Sequence, residues 1–475
     1  MSSSTAGPHT AAPVADRNWG RSTFVLGAIA TSAALAYFGF VAEVRDPIHL
    51  PIGLGILLLA VLPALLWARR GKASLPIFEV MLLTTGNTYA LPLLNGHEGL
   101  IHFVPEDITA AGLAILVFQA VAITTHGLVS GRPRQSRFWR EDAMSGRISG
   151  LLMYGMALNT AYIVISSYTD LIPYAMTGVL RAVFFGIGII SVFITSRRIG
   201  TAEATAGERT FFVANLVLQI LALLTSLFLV SVVSLLLLAL VGYVSGSGRV
   251  PVLAAGAALL GVAILHNGKD DMRQLYWADV RTRPTLEELP SFFTTWVTHG
   301  LNVSEEEDAP VAAKLIDRTS LFHMMCLVVS ASPHQQPFLH GETYADIPAQ
   351  FVPRFLWPEK PPGHVSTSKL SVYYGLQTED ETEKTTIGFG MLTEAYANFG
   401  FYGVAALGVF LGLLIKKVQV WGSHSPLFSY GGIILVILLA WSFQTEFTVS
   451  MWLSSLYQAC IAALACPFFL RRLFG

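Results

Sequence analysis

Apolar positions gather into runs long enough to cross a bilayer near 22–42, 49–68, 76–94, 108–129, 148–167 and 173–195. The next block, 210–245, is too long for one crossing and too short for two generous ones. Splitting it near Leu227 gives two tightly connected helices. A further run covers 250–267, and three more lie near 391–415, 427–444 and 449–470. At ~20 residues each, the pattern predicts an all-α polytopic membrane protein of about twelve transmembrane helices. The chain then divides into a disordered N-terminus (1–21), helices one to nine (22–267), a polar loop segment (268–388) and helices ten to twelve (389–475).

Composition agrees with the pattern. The chain has 475 residues, 53% of them hydrophobic and 13% charged, against about 25% charged in soluble domains. Its mean hydropathy is +0.57. The net charge of −1 excludes a nucleic-acid partner of the usual basic kind. Cys326, Cys460 and Cys466 show neither disulfide nor zinc-ligand spacing. No cleavable signal peptide is evident, so the first apolar run is expected to stay as an anchor.

Positive charge orients the helices. Arg17, Arg21, Arg69, Arg70, Lys72, the arginines from Arg132 to Arg147, Arg197, Arg198, Arg209, Arg249, Lys416, Lys417, Arg471 and Arg472 fall on one side if the helices alternate. The opposite short connections carry only Arg45. This bias predicts cytoplasmic termini and an outer, extracytoplasmic segment 268–388 between helices nine and ten. Within it, Thr285-Leu-Glu-Glu288 is a capping-box pattern that predicts a helix through about Thr298. Ser304-Glu-Glu-Glu-Asp308 suits the start of a second helix, which could continue to Ala331. Its apolar part, Leu321 to Val329, is too short to span and is expected at the membrane surface or against the bundle.

The polar segment also holds Phe351-Val-Pro-Arg-Phe-Leu-Trp-Pro-Glu-Lys-Pro-Pro362. Its prolines predict an extended, stiff run presenting Arg354, Trp357 and Lys360. Those groups suit either a phosphate grip or a polar loop with an interfacial Trp anchor. Lys269 and Arg273, spaced i, i+4 after the ninth helix, suit a diphosphate or simple snorkelling at the interface. Arg318 adds a cation on the same side. Glu394 and Asn398 are likewise i, i+4 at the entry of the tenth helix, with Tyr396 and Tyr402 close by. Glu394 is a candidate general base or a helix-start acid that favours the dipole. Glu79 and Arg181 lie inside spans and are either functional or a buried pair that fixes packing. His323, His334, His340 and His364 fit no metal motif, and the acidic pair Glu43 and Asp46 is very weak evidence for one.

Three stretches together, Gly341-Glu-Thr-Tyr344, Phe351 to Pro361 and Glu394-Ala-Tyr-Ala-Asn-Phe-Gly400, resemble bacterial oligosaccharide repeat-unit polymerases of the Wzy type. The Pro-Arg-x-x-Trp-Pro-x-Lys-Pro core carries most of the resemblance, and the Lys269–Arg273 pair is similar to a family feature. The resemblance implies a GT-C-like glycosyltransferase, without metal or other cofactor, in the bacterial inner membrane. It implies a polyprenyl-diphosphate-linked oligosaccharide substrate, with a chain-length regulator and a flippase as partner proteins. Such an enzyme extends O-antigen, capsule or exopolysaccharide on the outer face. On that reading Arg273, Arg354 and Arg318 offset charge on the leaving diphosphate, supported by Lys269 and Lys360. Glu394 is the base, with His340 or His364 in reserve, while Trp357, Tyr396 and Asn398 position sugar. An O-antigen ligase and a lipid-linked glycan transporter stand as alternatives; the lack of an internal repeat speaks against the transporter.

Overall fold

The computed structural model describes residues 14–70, 75–129, 148–169, 171–172, 174–277, 283–301, 320–384, 386–422, 430–444 and 446–474. Arg318 and the Ser304–Asp308 run lie outside the described residues. Every regular element among them is helical. Nine helices there are long and apolar enough to cross a membrane. The protein is a polytopic helical membrane protein.

The first seven long helices are α1 (Val14–Val41), α2 (His49–Arg70), α3 (Ile77–Thr85) with α4 (Leu91–Leu94), α5 (Pro105–Leu128), α6 (Ile148–Tyr168), α7 (Tyr174–Gly200) and α8 (Ala206–Leu224). A π-turn, Gly86–Ala90, joins α3 to α4 so that the two act as one crossing. α9 (Leu229–Ser247) follows after a break at Leu227, whose φ of 58° is left-handed. The predicted division of 210–245 is therefore real, made by the four-residue turn from Thr225 to Phe228. α10 (Val252–Asn267) is shorter, 16 residues or ~24 Å. α17 (Gly390–Gly422) is the ninth long helix, followed by α18 (Tyr430–Trp441) and α19 (Val449–Phe474). The predicted crossings thus all coincide with helices, two of them, α10 and α18, shorter than a full span.

Close helix approach comes from small residues, the usual device where lipid removes the hydrophobic drive for association. A methyl added to Gly408 of α17 would stand 3.0 Å from the Phe118 carbonyl oxygen of α5. One added to Gly412 would stand 2.8 Å from that of Ala122. Gly242 and Gly246 of α9 sit in the same way against the Phe193 and Arg197 carbonyls of α7. Glu79 and Arg181 are not partners. The charged neighbours of Glu79 are Arg70 and Lys416, while Arg181 stands beside Tyr162.

The polar segment contributes α11 (Lys269–Trp277), α12 (Leu289–Leu301), α13 (Phe322–Ala331), α14 (Ile347–Gln350), α15 (Val365–Tyr373) and α16 (Glu379–Lys384). The Thr285 N–H donates to Glu288 Oε2 at 2.8 Å, so the predicted cap starts one turn ahead of α12. α13 packs against the bundle: Phe322, Met325, Cys326 and Val328 are fully buried, and the Leu321 N–H donates to the Thr88 carbonyl in the π-turn. Residues 332–384 are tied together by Tyr373 Oη to the Pro337 carbonyl, Ser366 Oγ to the Thr343 carbonyl, and Lys369 Nζ to Asp346 at 2.8 Å.

Candidate active site

The Glu394–Gly400 stretch forms an interrupted helix. Phe399 (φ −144°, ψ 15°) and Gly400 (φ 59°, ψ −142°) leave helical geometry, and the Gly400 values suit glycine alone. The piece 390–398 lies against the piece 401–422, since a side chain on Gly403 would strike the Ala395 carbonyl. A helix that stops leaves its last carbonyls without partners. Those of Ala397 and Asn398 accept from the Leu339 and His340 N–H groups at 3.0 and 3.1 Å. The Asn398 side chain completes the cap. Its Oδ1 accepts from the Gly341 N–H at 2.8 Å, and its Nδ2 donates to Thr343 Oγ1 and to the Glu394 carbonyl, both at 2.8 Å. These bonds engage both ends of the Asn398 amide, so it binds the loop 339–343 to α17. His340 is exposed, with a left-handed φ of 47°, and lies edge-on to Phe399.

One turn earlier, Glu394 is fully buried. Its Oε2 accepts from the Val449 N–H at 2.6 Å. No hydrogen bond among the described residues reaches Oε1, nor the fully buried Thr448 and Ser450 hydroxyls on either side of Val449. Buried polar atoms are rarely left so. Tyr344 stands near; burial and the Glu394 carboxyl raise its phenol above the ordinary tyrosine range, while Asn398 lowers it.

The connection Glu446–Val449 is the second wall. Lys269 and Arg273 of α11 both face Glu446. The Glu446 carboxyl is pushed above the ordinary carboxylate range by the protein packed around it, though one edge stays open, and the two cations draw it back down. Arg273 donates from Nη2 to the Leu227 carbonyl at 3.3 Å, and its guanidinium lies 5.5 Å from the centre of the Phe228 ring. Its anchor is therefore the left-handed turn that divides α8 from α9. From Glu446 to Val449 is three residues, at most ~11 Å of chain. Short as it is, this stretch links the cation pair to the residue that grips Glu394. Sequence reasoning passed over Glu446; its signal is the polar run Gln444-Thr-Glu-Phe-Thr448 between two apolar runs.

The remaining predicted residues lie elsewhere. The segment 351–362 is turned, not extended: the Pro353 carbonyl accepts from the Leu356 and Trp357 N–H groups, and that of Trp357 from Lys360. Side chains hold those turns. Arg354 donates to the Pro358 and Lys360 carbonyls at 2.7 and 3.1 Å. The Lys360 amine, buried, donates to those of Val352 and Gln350 at 2.7 and 3.3 Å. Trp357 is exposed, and Tyr396 is buried edge-on between Phe338 and Phe401. Comparison with known proteins returns no family model, no curated protein and no solved structure that matches this chain.

Proposed function

We propose that the chain is a glycosyltransferase that polymerises polyprenyl-diphosphate-linked oligosaccharide units on the outer face of a bacterial inner membrane, with a GT-C-like architecture in which 268–388 is extracytoplasmic. One observation carries the reading: the Glu446–Val449 connection joins the carboxylate that Lys269 and Arg273 act on to the N–H that holds the buried Glu394. The chemistry asks for the cation pair and for Glu394. An acceptor hydroxyl oxygen bonds to the donor's anomeric carbon, the bond from that carbon to the diphosphate breaks, and its electron pair leaves on the diphosphate. Lys269 and Arg273 offset that growing negative charge, Arg273 with a planar fork that matches paired oxygens. Glu394 takes the hydroxyl proton on Oε1, the atom not engaged by Val449. The positive-inside bias supports placing this end outside.

Purified protein in liposomes, given a polyprenyl-diphosphate-linked repeat unit, tests the reading. Longer lipid-linked chains and released polyprenyl diphosphate support it. Unchanged substrate under conditions where the protein is folded overturns it.

A further inference from the structure

The turned segment 351–362 touches α19 far from where that helix begins. The Phe351 ring meets the Tyr457 ring edge-on at 4.8 Å. Tyr457 is eight residues into α19, ~12 Å along its axis from Val449. Counting from the other end, fourteen residues or ~21 Å separate Tyr457 from Arg471. A hydrocarbon core is ~30 Å thick. With Arg471 and Arg472 at one boundary, Tyr457 lies ~9 Å inside the other. Tyr457 and Ile461 are 40% and 48% exposed on that flank of α19, which makes it a lipid-facing surface. Beyond Phe351 the loop exposes Phe355, Leu356 and Trp357, at 51%, 67% and 43%, ahead of the exposed Glu359.

Irregular backbone is tolerated at membrane depth only when its polar groups are satisfied from within. The two turned ends of this loop meet that condition, which leaves the main chain of Arg354 to Leu356 and Glu359 to face the headgroups. Four prolines in twelve residues remove N–H donors. The carbonyls of Gln350, Val352, Pro358 and Lys360 are taken by Arg354 and Lys360, and those of Pro361 and Pro362 by Gln350 Nε2 at 3.2 and 3.3 Å. A loop in water would not need two cations spent on its own carbonyls. We infer that 351–362 is a membrane-seated loop along α19, with the Phe355, Leu356 and Trp357 side chains in the outer acyl chains of the leaflet at the Glu394 end and the exposed Glu359 among its headgroups. Arg354 and Lys360 then act as internal braces. The inference stands on burial and position, and does not depend on the glycosyltransferase reading.

Nitroxide labels test it. In a chain with Cys326, Cys460 and Cys466 replaced by Ala, Phe355→Cys and Leu356→Cys would each be labelled, with Asp380→Cys on the exposed α16 as reference, in phosphatidylcholine–phosphatidylglycerol nanodiscs. Power saturation should show labels 355 and 356 open to oxygen, shielded from a water-soluble nickel chelate, and deeper than the lipid phosphates. Nickel access at 355 and 356 equal to that at 380, or a depth at or above the phosphates, would overturn it. Hydroxyl-radical footprinting of the unsubstituted chain gives an independent reading. Trp357 should be protected in nanodiscs while the exposed His340 is oxidised; oxidation of both alike would contradict the placement.

Discussion

The Val449 N–H donates to Glu394 Oε2 at 2.6 Å, and this single bond fastens the first turn of α19 to the interrupted start of α17. A backbone donor to a carboxylate is among the stronger hydrogen bonds a protein makes. It fixes one oxygen and leaves Oε1 without a hydrogen bond among the described residues. The acid is thus aimed by main chain, a bond that at 449 only proline would remove.

Asn398 should be the stability keystone of this end. Asn398→Ala deletes three hydrogen bonds of 2.8 Å and leaves the Gly341 N–H and Thr343 hydroxyl short of a partner. At ~1 kcal/mol net per bond, and more where a buried group is left unpaired, the loss should be about 2–4 kcal/mol. A thermal-unfolding scan in detergent should show a clear fall in Tm, whereas Tyr402→Ala, at a side chain 89% exposed, should leave it unchanged.

Gly400→Ala should destabilise independently. The alanine must adopt φ 59°, ψ −142°, and its methyl would stand 2.9 Å from Phe338. A cost of ~1–3 kcal/mol follows from the backbone alone. Pairing Gly400→Ala with Phe338→Ala in one scan separates the two causes: the double variant should recover only part of the lost Tm.

How much of this could be read in the sequence varies with the range of the interaction. The crossings, the division at Leu227 and the Glu394–Asn398 pairing are local and periodic, so the sequence carries them. The interruption at Phe399–Gly400 is hidden, because apolar residues continue on both sides of it. The turned shape of 351–362 is hidden too: its prolines favour extension, and the opposing force is a set of side-chain bonds from Arg354, Lys360 and Gln350. Glu446 gains its meaning from Lys269 and Arg273, more than 170 positions away along the chain.

Arg354→Ala should open the loop. With the Pro358 and Lys360 carbonyls released, limited proteolysis in nanodiscs should cut between Phe351 and Pro362, where the wild-type chain resists. Arg354→Lys retains the charge without the fork that reaches two carbonyls, so cleavage should be intermediate. Equal resistance in all three chains would count against the bracing role.

Acid should loosen the contact between the 97–102 turn and α13. The His97 and His323 rings stack at 5.0 Å, and burial, with His97 as neighbour, pushes His323 down to about 4 from an ordinary 6.5. A histidine held neutral in the fold contributes stability that is complete above pH 6.5 and is lost as pH falls from 6.5 towards 4. The Tm at pH 5 should therefore lie below that at pH 7, and His323→Phe should flatten the difference; an unchanged pH dependence in that variant would refute the assignment.

The central claim is that Glu394 and the Lys269–Arg273 pair carry out one transfer, and turnover by reconstituted variants addresses it most directly. Elongation of a polyprenyl-diphosphate-linked repeat unit should fall about 10²–10³-fold in Arg273→Ala, the range typical for loss of a preformed electrostatic contact. Glu394→Gln, which keeps size and the Val449 bond but not the base, should fall by about 10²–10⁴. Chelator should leave the wild-type rate intact, since the two side chains supply the positive charge. Chains of ordinary length from Glu394→Gln, at normal protein levels and normal Tm, would contradict the account.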